Sequence, residues 1–192
     1  MNTKGKISEE ARKLFSTKGY EATSVRDIAK AVGIKDSSLY NHYKNKQGIF
    51  DYIIKLHEEE SNKGFMEFYR KNKYTDENVI IESSIIILRV LVDPCVVEIR
   101  RMLTIEMYHN EKAKEIYYRL FYKEPYRWCE VIFGELIKSG VIRNESMDAL
   151  FYRFYGPIFM LILECDLKDY SEEELINKVK KHGSQFLKEF KE

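Results

Sequence analysis

Proline is scarce in this chain, three in 192 residues, and glycine contributes only nine. With so few breakers, long stretches are free to be helical, and the apolar–polar alternation of strands is hardly visible. Cysteine is scarce too. Cys95, Cys129 and Cys165 are far apart and odd in number, which excludes a disulfide framework and fits a reducing compartment. No apolar run reaches the roughly 18 uninterrupted residues of a membrane span. The richest, Tyr155 to Leu163, reads as a buried helix. The four histidines, His42, His57, His109 and His182, form no zinc spacing. Neither a phosphate loop nor a nucleophile elbow appears. Glu106-x-x-His109 has the spacing of half a di-iron helix-bundle site, but such a site requires a second copy and none is present. Catalysis, a metal and a cofactor are therefore not expected. No secretory or transit signature opens the chain, so a cytoplasmic location is expected.

Against these absences stand a 44% hydrophobic share, enough for a core, and a 33% charged share that wets the surface. The net charge of +1 hides an asymmetry. Residues 1–50 hold ten Lys or Arg against five Asp or Glu, and the remainder holds 22 against 26. A basic head on a mildly acidic body suits nucleic-acid binding by the head.

Ile7, Ala11, Leu14 and Phe15 fall on one helical stripe, which predicts a helix from Lys4 to Lys18 stopped by Gly19 as a left-handed cap. Ser24-x-x-Asp27 is a capping box for a second helix. Its buried face is Val25, Ile28, Ala29 and Val32; Gly33 ends it and Ile34 plugs the turn. A third helix follows, with Leu39 and Tyr43 inward and Ser37, Ser38, Tyr40, Asn41 and His42 outward. Two short helices joined by a tight turn, the second with a polar outer face, are how a protein places a helix in the DNA major groove. A fourth helix starts near Asn45, with Gly64 as a break, and Asn62–Thr75 has no clear assignment. Further helices are expected from Asp76 to Asp93, from Pro94 to His109, from Glu111 to Ser139 with a bend near Glu124-Pro125, from Ser146 to Glu164, and from Ser171 to Lys191.

The run Ala11, Leu14-Phe15, Lys18-Gly19-Tyr20, Ala22-Thr23-Ser24-Val25, Ile28-Ala29, Val32-Gly33-Ile34, Leu39-Tyr40 and Tyr43-Lys44-Asn45-Lys46 resembles the head of TetR-type (TetR/AcrR) transcriptional regulators. It covers about a quarter of the chain, and the pattern holds across four helices. Lys35 departs from it, standing where the family often has a capping serine or threonine. The resemblance implies an all-α fold: a three-helix DNA-binding head (residues 1–48) and a larger helical body for ligand binding and dimerisation (residues 49–192). It implies a homodimer on a palindromic operator, repression, and release by a small apolar or aromatic effector. An adaptor whose body answers a protein partner is the alternative. On DNA, Ser24 and Lys46 suit phosphates, and Tyr40 and His42 match positions that touch the backbone in the family. Ser37, Ser38 and Asn41 suit base edges. Arg26 suits either, and Lys35 belongs to the same surface.

In the body, the helix carrying Phe151, Tyr155, Phe159 and Ile162 is apolar around most of its circumference and must be covered on most sides. Those four residues, with Leu175, Val179, Phe186 and Phe190 of the last helix, are the expected dimer face, with Gly156-Pro157 as a kink and Gly183 as a close-contact point. Arg101, Glu106, His109, Trp128 and Tyr155 are the candidate effector contacts in an aromatic-rich cavity.

Overall fold

A computed structural model describes residues 2–71 and 76–191. Among these residues the regular structure is helical: α1 (Thr3–Lys18), α2 (Val25–Val32), α3 (Asp36–Tyr40), α4 (Lys46–Lys71), α5 (Asn78–Val92), α6 (Pro94–Glu106), α7 (Glu111–Tyr118), α8 (Glu124–Lys138), α9 (Met147–Glu164) and α10 (Glu172–Phe190). No helix among them is long and apolar enough to cross a membrane.

Local chemistry explains most of the boundaries. Asn2, Ser24, Asn110, Ser146 and Ser171 each accept a backbone N–H at the start of their helix, the usual use of these side chains at an N-terminus. Asn45 does the same for α4, accepting the N–H of Gly48 at 2.9 Å. Pro94 opens α6, where its missing N–H costs nothing. Gly19 does stop α1, but with φ 88 and ψ 157. That is an extended mirror conformation, not a left-handed helical cap, and it is open to glycine alone.

One helix expectation is corrected. Gly64 does not break α4, which continues through it to Lys71; residues 72–75 of the segment without assignment lie outside the described residues. The helix expected over Glu111–Ser139 runs without interruption as α7 and α8 through a π-helical turn at Arg119–Lys123, next to the bend expected at Glu124-Pro125. Pro125 has no N–H for the carbonyl four residues back and its ring crowds that turn, so the ladder widens there.

The chain forms two compact units: Met1–Gly64 with Pro94–Phe121, and Phe65–Asp93 with Tyr122–Glu192. The division expected at residue 48 follows roles along the sequence; compactness instead groups α6 and α7 with the head. In the first unit Ile7, Ala11 and Phe15 of α1, Ile28 of α2, Leu39 of α3, Ile49 of α4 and Ile99 and Leu103 of α6 are fully buried. In the second, the rings of Phe133, Phe154 and Phe186 meet at centroid distances of 5.2–5.5 Å. Each such buried ring contributes about 1.5–3 kcal/mol. There α5 lies close along α10 at Gly183, where an added Cβ would stand 2.9 Å from Ser84 Oγ and 3.4 Å from Ile81 Cα.

Candidate nucleic-acid interface

The helix-turn-helix is built from its caps inward. Ser24 Oγ accepts the Asp27 N–H at 3.1 Å, and Asp27 Oδ2 accepts the Ser24 N–H at 2.8 Å and its hydroxyl at 2.6 Å. The Ser24 hydroxyl and N–H hold the Asp27 carboxyl below the ordinary aspartate range. At the far end of α2, Gly33 is left-handed (φ 77, ψ 33) and Ile34 N–H returns to Ala29 C=O at 3.0 Å. That glycine reverses the chain tightly enough for α3 to begin three residues later.

The short α3 is anchored by two buried side chains, Leu39 and Tyr43. The Tyr43 hydroxyl donates to Lys4 C=O at 3.0 Å, and burial pushes its pKa up to about 12. No side chain caps the first turn of α3. Asp36 does not take that duty; it pairs with Arg26 Nε at 3.3 Å.

With Leu39 and Tyr43 inward, the opposite side of the segment is bare. Ser37, Asn41, His42 and Lys35 are exposed, Tyr40 is 55% exposed, and Ser38 is half-buried. Ser24 and Arg26 are exposed on α2 and its cap. Eight of the nine expected DNA contacts therefore share one accessible helix-turn-helix. The ninth, Lys46, is differently engaged. Its Nζ donates to the carbonyls of Tyr20 (2.7 Å), Thr23 (3.0 Å) and Glu21 (3.4 Å). An ammonium has three donors, so a phosphate would have to displace one of these. Lys44, passed over as a DNA contact in the sequence, is exposed beside His42; its position just past the anchoring Tyr43 was the available signal.

The expected effector contacts are shared between the two units. Arg101, Glu106 and His109 belong to the first unit and Trp128 and Tyr155 to the second. Arg101 and His109 are exposed, and Glu106 Oε1 accepts the Tyr20 N–H at 2.8 Å. Trp128 stacks on Phe65 at 5.1 Å with planes 9° apart, and Phe65 on Tyr69 at 6.2 Å. The first unit holds a groove lined by Ile54, Ile116 and six charged residues, crossed by Lys112–Asp51 (2.9 Å) and Arg119–Glu58 (2.7 Å) ion pairs. Among the described residues no cluster of three or more His, Cys, Asp or Glu could hold a metal.

The residues of the expected dimer face lie largely inside the single chain. Phe151, Tyr155, Phe159, Ile162, Leu175, Val179, Phe186 and Phe190 are each 8% exposed or less within the single chain. They contribute mainly to the second unit's own core. The apolar side chains of α9 that do face outward are Tyr152 (62%), Met160 (66%) and Leu163 (36%), with Leu167 (88%) just beyond. Their spacing, with Gly156, places them on one stripe. A Cβ at Gly156 would meet nothing within 4 Å, and α9 runs continuously through Pro157.

A short polar helix, held by two apolar anchors behind a glycine turn, defines a helix-turn-helix DNA-binding head. Residues 7–53 match the profile of bacterial regulatory proteins of the tetR family. The negative transcriptional regulator IcaR of the biofilm operon icaADBC in Staphylococcus aureus is 40% identical over 72 residues, 38% of this chain and 39% of that protein. The whole fold is similar to that of a TetR/AcrR-family transcriptional regulator from Aquifex aeolicus (TM-score 0.77, 23% identity, 96% of this chain and 99% of that one). It is also similar to that of the fatty acid degradation regulator FadR from Bacillus halodurans (TM-score 0.74, 16% identity, 97% and 95%). The tetR-family match thus covers the head of the chain, residues 7–53, and the chain aligns with only about two fifths of the length of the IcaR relative.

Proposed function

We propose that this protein is a dimeric, sequence-specific DNA-binding repressor of the cytoplasm that leaves its operator when a small apolar or aromatic molecule binds its body. The observation that carries the DNA reading is the outward set Ser37, Tyr40, Asn41 and His42, fixed by the buried Leu39 and Tyr43. Short hydrogen-bonding side chains on a groove-sized helix read base edges, and asparagine matches adenine N6 and N7. Ser24, Arg26, Lys35, Lys44, Tyr40 and His42 surround them and serve the phosphates and sugars that fix register. Repression is the activity named for the IcaR relative.

One head of this size reads too few base pairs for specificity, so two are needed, on half-sites about 34–36 Å apart or a multiple of that. The second copy pairs through the outer stripe of α9, Tyr152, Gly156, Met160 and Leu163, continued by Leu167. The α4 helix starts in the first unit and ends in the second, so it is the natural lever between effector and head. The half-buried Phe65–Trp128 stack is the feature of the second unit best suited to an aromatic effector.

Selection from a random duplex library, followed by footprinting upstream of the protein's own coding region, tests the DNA reading. A palindromic protected site is expected; no preference over random competitor refutes it. Trp128 is the single tryptophan, so effector binding should quench or shift its fluorescence at the concentrations that release DNA. Release without any change at Trp128 refutes that placement.

A further inference from the structure

The turn between α1 and α2 is held by two opposite charges from two other helices. It opens at Gly19, whose conformation suits glycine alone and whose missing Cβ would sit 3.4 Å from Glu106 Oε1. The Tyr20 N–H then donates to that same oxygen at 2.8 Å. Glu106 is the last residue of α6 and only 7% exposed. Lys46, the first residue of α4, takes the carbonyls of Tyr20, Glu21 and Thr23 and lies 4.2 Å from the Tyr20 ring centroid. A cation in the first turn of a helix opposes the helix dipole; the three carbonyls account for its presence there. Thr23, fully buried, closes the turn by donating to Gly19 C=O at 2.8 Å. The next residue, Ser24, is the N-cap of α2.

We infer that Lys46 and Glu106 are positioning residues for DNA reading: they clamp the 19–23 turn from α4 and α6, so that α2 and α3 take their orientation from those two helices. The inference rests on the DNA reading proposed above. It gives Lys46 an internal role in place of a phosphate contact, and makes Glu106 the link from α6 to the head in place of an effector contact. All four bonds are charge-assisted, and the shortest from each side, Lys46 to Tyr20 C=O at 2.7 Å and Tyr20 N–H to Glu106 at 2.8 Å, are in the range of strong ones. A shift of about 1 Å at the carboxyl end of α6 carries the 2.8 Å Glu106–Tyr20 bond beyond hydrogen-bond range.

The test uses the full chain, the duplex that the wild-type protein selects from a random library, and a scrambled duplex of equal length. A phosphate-contacting lysine acts on all sequences alike and adds about 0.9 to the slope of log K against log salt. A positioning residue changes only the selected duplex. Lys46→Met and Glu106→Ala are each expected to weaken the selected duplex about tenfold or more. Scrambled-duplex binding and the salt slope should stay unchanged. Glu106→Gln retains an acceptor for the Tyr20 N–H and should bind within about threefold of wild type. A slope reduced by about 0.9 per head in Lys46→Met, with equal loss on both duplexes, overturns the role of Lys46. Unchanged selected-duplex binding in Glu106→Ala, or Glu106→Gln as weak as Glu106→Ala, overturns that of Glu106. If Glu106→Ala does not fold, amide exchange at Tyr20 in wild type and Glu106→Gln decides: slow exchange in both supports the clamp, and exchange at the rate of an open amide overturns it. A wild-type protein that selects no duplex refutes the DNA reading itself, before any variant is made.

Discussion

Replacing Met160 and Phe159, neighbours on α9, separates the two faces of that helix. Met160 is 66% exposed in the single chain and Phe159 only 8%. Complete burial of a methionine side chain contributes about 1.5–3 kcal/mol, so covering its exposed two-thirds is worth roughly 1–2 kcal/mol, of which alanine keeps a little. A twofold interface contains the residue twice. Met160→Ala should therefore weaken the dimer by roughly 2–3 kcal/mol, about 30- to 150-fold in dissociation constant. Because Met160 packs little within its own chain, the variant monomer should stay folded. Phe159→Ala instead opens a cavity inside the second unit and should lower folding stability by about 3–5 kcal/mol, leaving self-association of the folded protein nearly as it was. Sedimentation velocity over a concentration series reads the first quantity and urea unfolding the second. Dissociation by Phe159→Ala without dissociation by Met160→Ala would refute the assignment of faces, and a wild-type monomer would refute the pairing.

Gly183→Ala gains about 1 kcal/mol of helix propensity but forces a Cβ to 2.9 Å from Ser84 Oγ and 3.4 Å from Ile81 Cα. Overpacking of that kind costs about 1–3 kcal/mol, so a net loss of about 1 kcal/mol in urea unfolding is expected, largely recovered by adding Ser84→Ala. A single variant more stable than wild type would show that α5 gives way there. Asn41→Ala should lose about 1–3 kcal/mol of discrimination at one base pair, measured on singly substituted duplexes; an unaltered preference moves Asn41 to the backbone. The Asp27 carboxyl is held below its ordinary value of 3.8 by its bonds from Ser24. Because the folded value is the lower one, the cap's contribution to the head is full above about pH 3.8 and is lost as pH falls through the folded value. In an NMR titration the Asp27 midpoint should lie below 3.8 in wild type and rise in Ser24→Ala; equal midpoints refute the cap's effect on Asp27.

The head was legible because its signals are local. Ser24-x-x-Asp27, Gly33 and the Leu39/Tyr43 spacing each act within four residues, and each stands in the structure as its chemistry requires. Lys46 was not legible. A lysine just past an N-cap reads as a phosphate contact, and its acceptors lie 23–26 residues earlier, brought close only by the fold. Glu106 is the same case at longer range, its partner lying 86 residues away. On α9, periodicity tells that an all-round apolar helix must be covered, but not by what. Phe151, Tyr155, Phe159 and Ile162 are covered by their own chain, which leaves Tyr152, Met160 and Leu163 as the exposed large apolar side chains of α9. The wide turn at Arg119–Lys123 was signalled by Pro125, whose effect falls on the turn before it, so the sequence placed the irregularity a few residues late.

These non-local bonds bear on how such a head can be switched. The reading helix spans only five residues and has no side-chain cap, so its own hydrogen bonds cannot fix its orientation against the rest of the chain. Under the clamp proposed above, orientation depends on Leu39 and Tyr43 beneath it and on Lys46 and Glu106 behind the preceding turn. Apparent affinity for DNA is the intrinsic affinity scaled by the fraction of molecules in the reading-competent arrangement. An effector that stretches the Glu106–Tyr20 bond lowers that fraction without touching any DNA-facing residue. Release from DNA then requires only a few kcal/mol of differential binding, about 5.5 kcal/mol for an inversion from 99:1 to 1:99. It follows that Glu106→Ala should both weaken operator binding and blunt the effector response. A variant with weakened binding but a full-sized response would place the effector's path to the head outside α6.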